Sequence, residues 1–161
     1  MNYAIEFAGL TKRFEQVAVL DDVTLTIGKS SLVGLLGRNG SGKTTLLRHV
    51  VGQLLPTAGI AETLGRTTSD LRRDEFERIG FVPQEIRLLD WMTVSQHISY
   101  VRGFYKRWDS ERESRLLDEL ELDGNMQVGA LSTGDVQKLA VVLAVCHHPE
   151  LLILDEPVSN L

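Results

Sequence analysis

Eight residues at positions 37–44, Gly-Arg-Asn-Gly-Ser-Gly-Lys-Thr, constrain this chain more than any other stretch. They fit the pattern G-x-x-x-x-G-K-[ST], and their flanks give the pattern its meaning. An apolar run, Leu32-Val33-Gly34-Leu35-Leu36, reads as a strand just before it. Thr45-Leu46-Leu47-Arg48-His49-Val50-Val51 reads as a helix just after it. Glycines at 37, 40 and 42 allow backbone angles closed to other residues, so successive amide N–H groups can converge on one anion. The helix points its positive end at the same place, worth about 0.3–1 kcal/mol per anion at an exposed site. Lys43 adds a point charge for the β- and γ-phosphates of a nucleoside triphosphate, and the Thr44 hydroxyl suits magnesium. A strand, a glycine loop and a helix in register predict that this chain binds a nucleoside triphosphate.

The rest of the composition sets bounds. A length of 161 residues is enough for one buried core, and apolar (43%) and charged (24%) fractions are those of a globular protein. A net charge of −5 argues against a nucleic-acid-binding surface, which is usually basic. The single cysteine, Cys146, has no internal disulfide partner and reads as a small core residue in a reducing cytosol. Met1-Asn2-Tyr3-Ala4-Ile5-Glu6 lacks the basic start and apolar stretch of a signal peptide. No run approaches the roughly 18 apolar residues of a membrane span, so any action at a membrane is expected through a partner.

Along the chain, residues 3–7 alternate as a strand, and 17–20 with 23–27 read as further strand around an Asp21-Asp22 turn. The helix after the loop is expected to end near Gly52, with Pro56 blocking continuation. Residues 57–65 predict a short edge strand, 69–78 a charged helical stretch with Arg72 and Arg73 solvated, and 79–82 a strand stopped by Pro83. Apolar residues at 94, 98, 101, 104 and 105 have helical spacing. Ser110-Glu111-Arg112-Glu113 reads as a capping box opening a second helix, with Gly124 as its stop. Periodicity leaves 139–146 open: its valines favour strand, whereas its length and Ser132 upstream favour a buried helix. Residues 151–154 read as a buried strand.

That last strand ends in Asp155-Glu156-Pro157, at the position where α/β folds place their ligands. Asp155 there suits magnesium, opposite Thr44, and Glu156 suits a general base for an attacking water.

The order of four segments carries a family resemblance. Residues 37–44, Phe81-Val82-Pro83-Gln84, Leu131-Ser132-Thr133-Gly134-Asp135 and 151–157 together resemble an ATP-binding-cassette nucleotide-binding domain of the ABC transporters. Trp91-Met92-Thr93-Val94 and Phe104-Tyr105-Lys106-Arg107-Trp108-Asp109 are similar to ATPase subunits of bacterial ABC-2-type exporters. The resemblance implies an α/β fold of the RecA-like P-loop NTPase kind: a parallel core sheet bearing the loop, an N-terminal antiparallel β arm and a helical insert over about 92–124. It implies one ATP-binding domain over 1–161, incomplete because the switch histidine and the final strands and helices of the family lie beyond Leu161.

The resemblance also implies roles. Phe14 matches the aromatic residue that stacks on adenine. Gly37, Arg38, Asn39, Gly40, Ser41, Gly42, Lys43, Thr44 and Thr45 match the phosphate-binding stretch. Gln84 matches the glutamine that contacts magnesium and the attacking water and senses the membrane partner. Ser132 and Gly134 match the signature motif that closes over ATP on the opposite subunit, and Asn160 matches the start of the loop joining the two sites. Catalysis would rest on Glu156, Gln84 and Lys43, and magnesium on Thr44, Gln84 and Asp155. His49, His97, His147 and His148 precede the catalytic carboxylate, cannot match the switch, and read as surface or helix filler.

The signature departs from the family's Leu-Ser-Gly-Gly-Gln: here it reads Leu-Ser-Thr-Gly-Asp, and Asp135 puts a carboxylate where a phosphate is expected. Ser132 and Asp135 also have capping-box spacing, so Asp135 reads equally as a helix cap. The expected function is ATP hydrolysis by a peripheral subunit on the cytoplasmic face of the membrane. Its partners would be a separate transmembrane permease and a second nucleotide-binding subunit, with no nucleic acid and no direct membrane insertion. The alternative is a truncated cassette that binds ATP or a partner with little turnover. Chromosome-maintenance ATPases share these motifs but put a long coiled coil between the loop and the signature, and the interval from Gly42 to Ser132 is too short for one.

Overall fold

The N-terminal hairpin runs longer than its alternation predicts. In the computed structural model, which describes residues 3–156, β1 (Tyr3–Phe14) pairs antiparallel with β2 (Val17–Gly28) through a tight turn in which Glu15 has φ 52°. The predicted turn at Asp21-Asp22 is an irregularity inside β2 instead. Asp22 is left-handed (φ 50°) and donates its backbone N–H to Thr11 Oγ1, while Gly9 donates its own to Thr24 Oγ1. Those side-chain bonds replace ladder bonds where the register shifts between Phe7 and Lys12, so the strand bulges without reversing. Phe7 and Leu10 of β1 are buried, each contributing roughly 1.5–3 kcal/mol of apolar burial.

The chain divides into two compact units, Met1–Phe76 and Glu77–Leu161. In the first, β3 (Ala58–Thr63) pairs with the other side of β1, and the two-residue β4 (Arg66–Thr67) follows it, in the order β2-β1-β3-β4. The strand expected at an edge is therefore an inner one. α1 (Lys43–Val50) lies against β3, where the Thr63 hydroxyl donates to the Val50 carbonyl at 2.7 Å. It stops as predicted, with Val51 as C-cap and Gly52 left-handed at φ 68°. Residues 69–78 form less helix than expected: a 3-10 turn, Thr68–Asp70, and one α-turn, α2 (Arg73–Phe76).

The predicted strand at 32–36 does not form. A strand needs a ladder partner, and among the described residues none runs beside this stretch, which leaves Leu32 and Leu36 almost fully exposed.

In the second unit, β5 (Ile79–Val82) runs parallel to β6 (Leu151–Leu154), with Val82 opposite Leu154. β6 is less buried than predicted; only Ile153 is covered, because among the described residues the strand pairs on one side alone. α3 (Val94–Arg102) and α4 (Ser110–Glu119) fall within the expected insert. α4 is capped by Asp109, which accepts the Arg112 N–H, and not by Ser110, its first helical residue. It ends at Glu119, with Leu120 as C-cap and Glu121 left-handed (φ 56°), ahead of the Gly124 stop that was expected.

α5 (Thr133–Val145) resolves the open segment as helix. Leu139, Val142, Leu143 and Cys146 on it pack with Val94 and Ile98 of α3, while Ala140 and Ala144 meet Val82 of β5. Contact with β5 is close. A Cβ on Gly80 would lie deep inside the Ala144 carbonyl oxygen and 3.0 Å from Leu152 Cδ1. Cys146 is buried as expected, and burial first, then Glu113, pushes its thiol up to about 11. Three histidines read as filler are instead core residues. His49, His97 and His147 are buried, and His147 stacks on Tyr105 with ring centres 4.1 Å apart. Burial lowers the pKa of His97 and of His147, favouring neutral rings. Only His148 is exposed, bonded to Asp109 at 2.9 Å. Asn160 lies outside the described residues.

Candidate functional site

In the first unit the loop 37–44 has the backbone an anion cradle requires. Gly40 and Gly42 are left-handed at φ 78° and 93°, and Ser41 closes a turn onto the Arg38 carbonyl at 3.1 Å. Gly42 is the N-cap of α1; no side chain caps that end and no acidic residue stands in its first turn. A helix start without a side-chain cap is the kind that attracts phosphate. Gly42 also abuts β2, since a Cβ there would sit 3.0 Å from the Val19 carbonyl. Lys43 folds back over the loop and donates to the carbonyls of Gly37 (3.0 Å) and Arg38 (3.2 Å). Gly37, Arg38, Asn39, Gly40 and Ser41 are all exposed, and Gly42, Lys43, Thr44 and Thr45 are half-buried at the start of α1. Phe14 stands 45% exposed at the end of β1, with the Lys12 ammonium 5.2 Å from its ring centre. Lys12 is itself held by the Leu55 carbonyl at 2.8 Å.

In the second unit the parallel register of β5 and β6 brings two predicted residues together. Gln84 follows the end of β5 and Glu156 the end of β6, and Gln84 Nε2 donates to Glu156 Oε2 at 2.9 Å. The Asp155 N–H continues the ladder onto the Val82 carbonyl at 2.9 Å. Asp155 is 2% exposed, and among the described residues its carboxylate makes no hydrogen bond or ion pair. A carboxylate at the end of a strand is a hard oxygen donor, the kind of ligand that suits magnesium. The Gln84 amide nitrogen is spent on Glu156, which leaves its carbonyl oxygen as the atom suited to a hard cation.

Ser132 is the N-cap of α5, accepting the Asp135 N–H at 3.1 Å, and Gly134 lies in the first turn. The Asp135 carboxylate turns back along its own helix, taking the Ser132 hydroxyl and the Lys138 ammonium. Lys138 was missed in the sequence, although its spacing three residues on from Asp135 makes the pair readable. Lys12 was missed beside Phe14, and alternation along a strand signals that placement. The Thr93–Gln96 capping box of α3 also went unread, though its T-x-x-Q text is explicit.

A family model described as "ABC transporter" matches residues 20–159. The aliphatic sulfonates import ATP-binding protein SsuB 1 of Burkholderia lata is 39% identical over 98% of this chain and 47% of its own. The probable multidrug ABC transporter ATP-binding protein YbhF of Escherichia coli is 32% identical over 97% of this chain and 28% of its own. This chain thus spans about half the length of the first relative, or less of the second. Among solved structures, an ATP-binding subunit of an ABC transporter superposes with TM-score 0.86 at 28% identity, covering 98% of this chain and 68% of that one. A dimeric ATP-binding cassette in a post-hydrolysis state, bound to ADP and Pi, gives TM-score 0.82 at 27% identity over 98% of this chain and 75% of its own.

Proposed function

The chain belongs to the ABC transporter family, and on that premise we propose that it binds and hydrolyses ATP as the nucleotide-binding part of a transporter. The observation that carries the reading is the uncapped start of α1 behind left-handed Gly40 and Gly42, with Lys43 arched over the loop. Residues 37–45 hold the phosphates, and Phe14 offers an exposed ring face for adenine. Glu156 is the base for water; an amide donor on one of its oxygens holds it at the end of β6. Thr44, Gln84 and Asp155 would hold magnesium, which supplies charge for the leaving phosphate. Ser132 and Gly134 would face the ATP of a second nucleotide-binding subunit, and a separate membrane permease is the working partner at the cytoplasmic face. No helix among the described residues is long and apolar enough to cross a membrane. Relatives named for import and for multidrug transport match alike, so the exporter resemblance remains a proposal about direction. The comparisons lend no support to a low-turnover module.

Two substitutions in the full protein test this. Lys43→Ala is expected to weaken ATP–Mg binding at least about tenfold, or 1.4 kcal/mol. Glu156→Gln is expected to slow hydrolysis by about 10²–10⁴-fold and keep binding. Calorimetry giving equal ATP affinity with and without Lys43, or unimpaired turnover without Glu156, would refute the assignment.

A further inference from the structure

Ser132 has one hydroxyl proton, and it goes to Asp135 Oδ2 at 2.6 Å. The same Ser132 oxygen accepts the Asp135 backbone N–H at 3.1 Å, and Lys138 Nζ holds the other carboxylate oxygen at 2.9 Å. The Ser132 hydroxyl and then Lys138 keep the Asp135 carboxyl below its ordinary range, so it is an anion at neutral pH. A nucleotide phosphate oxygen carries no proton to give, so a serine binds it only by donating. One proton cannot serve both acceptors.

We infer that Asp135 is a positioning residue: it withholds the Ser132 proton, so that Ser132 engages a triphosphate on a second subunit only after the Ser132–Asp135 bond opens. The inference rests on the reading of Ser132 given above and concerns the regulation of that site. It differs from plain repulsion between the carboxylate and a phosphate. Repulsion acts whether or not residue 132 has a hydroxyl. A withheld proton matters only where the hydroxyl is present, and this difference makes the two separable by a double-mutant cycle.

The test uses the full protein in a Glu156→Gln background, with ATP–Mg as probe. ATP affinity of the monomer is measured by calorimetry, and ATP-dependent association by sedimentation, for the parent, Asp135→Gln, Ser132→Ala and the double variant. Asp135→Gln is expected to tighten association about tenfold, equivalent to 1.4 kcal/mol. Its monomer affinity for ATP should stay unchanged, a split that a purely structural change at α5 would not produce. In the Ser132→Ala background the gain should fall below about twofold. Asp135→Asn, which keeps the size of the side chain, carries the same comparison if the glutamine variant does not fold. Association no tighter than the parent's, or an equal gain in both backgrounds, overturns the inference. A parent that binds ATP yet never associates in any variant overturns this inference alone, whereas a parent that fails to bind ATP removes the proposed function with it.

Discussion

Gly80→Ala should be among the most costly single-methyl changes in this chain. Gly80 sits inside β5, where an added Cβ meets the Ala144 carbonyl of α5 well inside contact, Leu152 Cδ1 at 3.0 Å and Pro149 Cγ at 3.1 Å. The nearest of these is backbone, so it cannot rotate away, and α5 or β5 must move. The packing that suffers is the small cluster of Val82, Ala140 and Ala144. Forcing an extra methyl into a close-packed core costs about 1–3 kcal/mol, and more where backbone must shift. Gly80 is not left-handed, so alanine restores roughly 0.4–1 kcal/mol by narrowing the unfolded ensemble. The balance is a loss of about 1–2 kcal/mol or more, a fall in Tm of roughly 2–8 °C for a protein of this size. Urea unfolding followed by circular dichroism measures it, with Gly28→Ala, whose Cβ meets nothing within 4 Å, as the control. A Gly80→Ala midpoint at or above that of the control would refute the close-approach argument.

Cys146 should be almost inert to iodoacetamide at pH 8 in the folded protein and react readily in urea, because burial raises its thiol to about 11; fast labelling without denaturant would contradict its placement. The Asp109 carboxyl is held low, first by the Arg112 N–H and then by His148, so its contribution is present above the ordinary aspartate range and is lost as pH falls through the depressed value. Asp109→Asn should therefore flatten the stability profile below about pH 4, and an unchanged acid limb in urea titrations would count against the cap.

The phosphate-loop helix, its stop at Gly52, the paired strands before Gln84 and Asp155, and the cap at Ser132 were all legible because each is written in local text. Ends that depend on distant neighbours were not. The 32–36 run has strand composition, but composition cannot supply a ladder partner. Asp109 displaced Ser110 as cap by accepting the Arg112 N–H, and its second contact, to His148 far along the chain, is one no local pattern announces. The buried histidines escaped for the same reason: polarity alone suggests a surface, and only packing shows otherwise, as where the Tyr105 ring stacks on His147. The contact between Gln84 and Glu156 needed the register of β5 on β6, which sequence leaves unspecified. What Asp135 does was undecidable from text, since a cap and a repulsive charge share one letter.

Lys43 offers a final point about selectivity. Its ammonium is held by the loop's own carbonyls at Gly37 and Arg38, so an incoming anion would displace acceptors already in place. Only the difference between the new bonds and the old ones favours binding. Charge-assisted bonds are roughly twice as strong as neutral ones, so a polyphosphate that engages Lys43 and the α1 N–H groups together gains from the exchange. A single phosphate that reaches only the N–H groups leaves the lysine where it was. On the proposed reading, a lysine held by its own loop would reward chain length in the ligand, separating triphosphates from monophosphates before any residue has read the base.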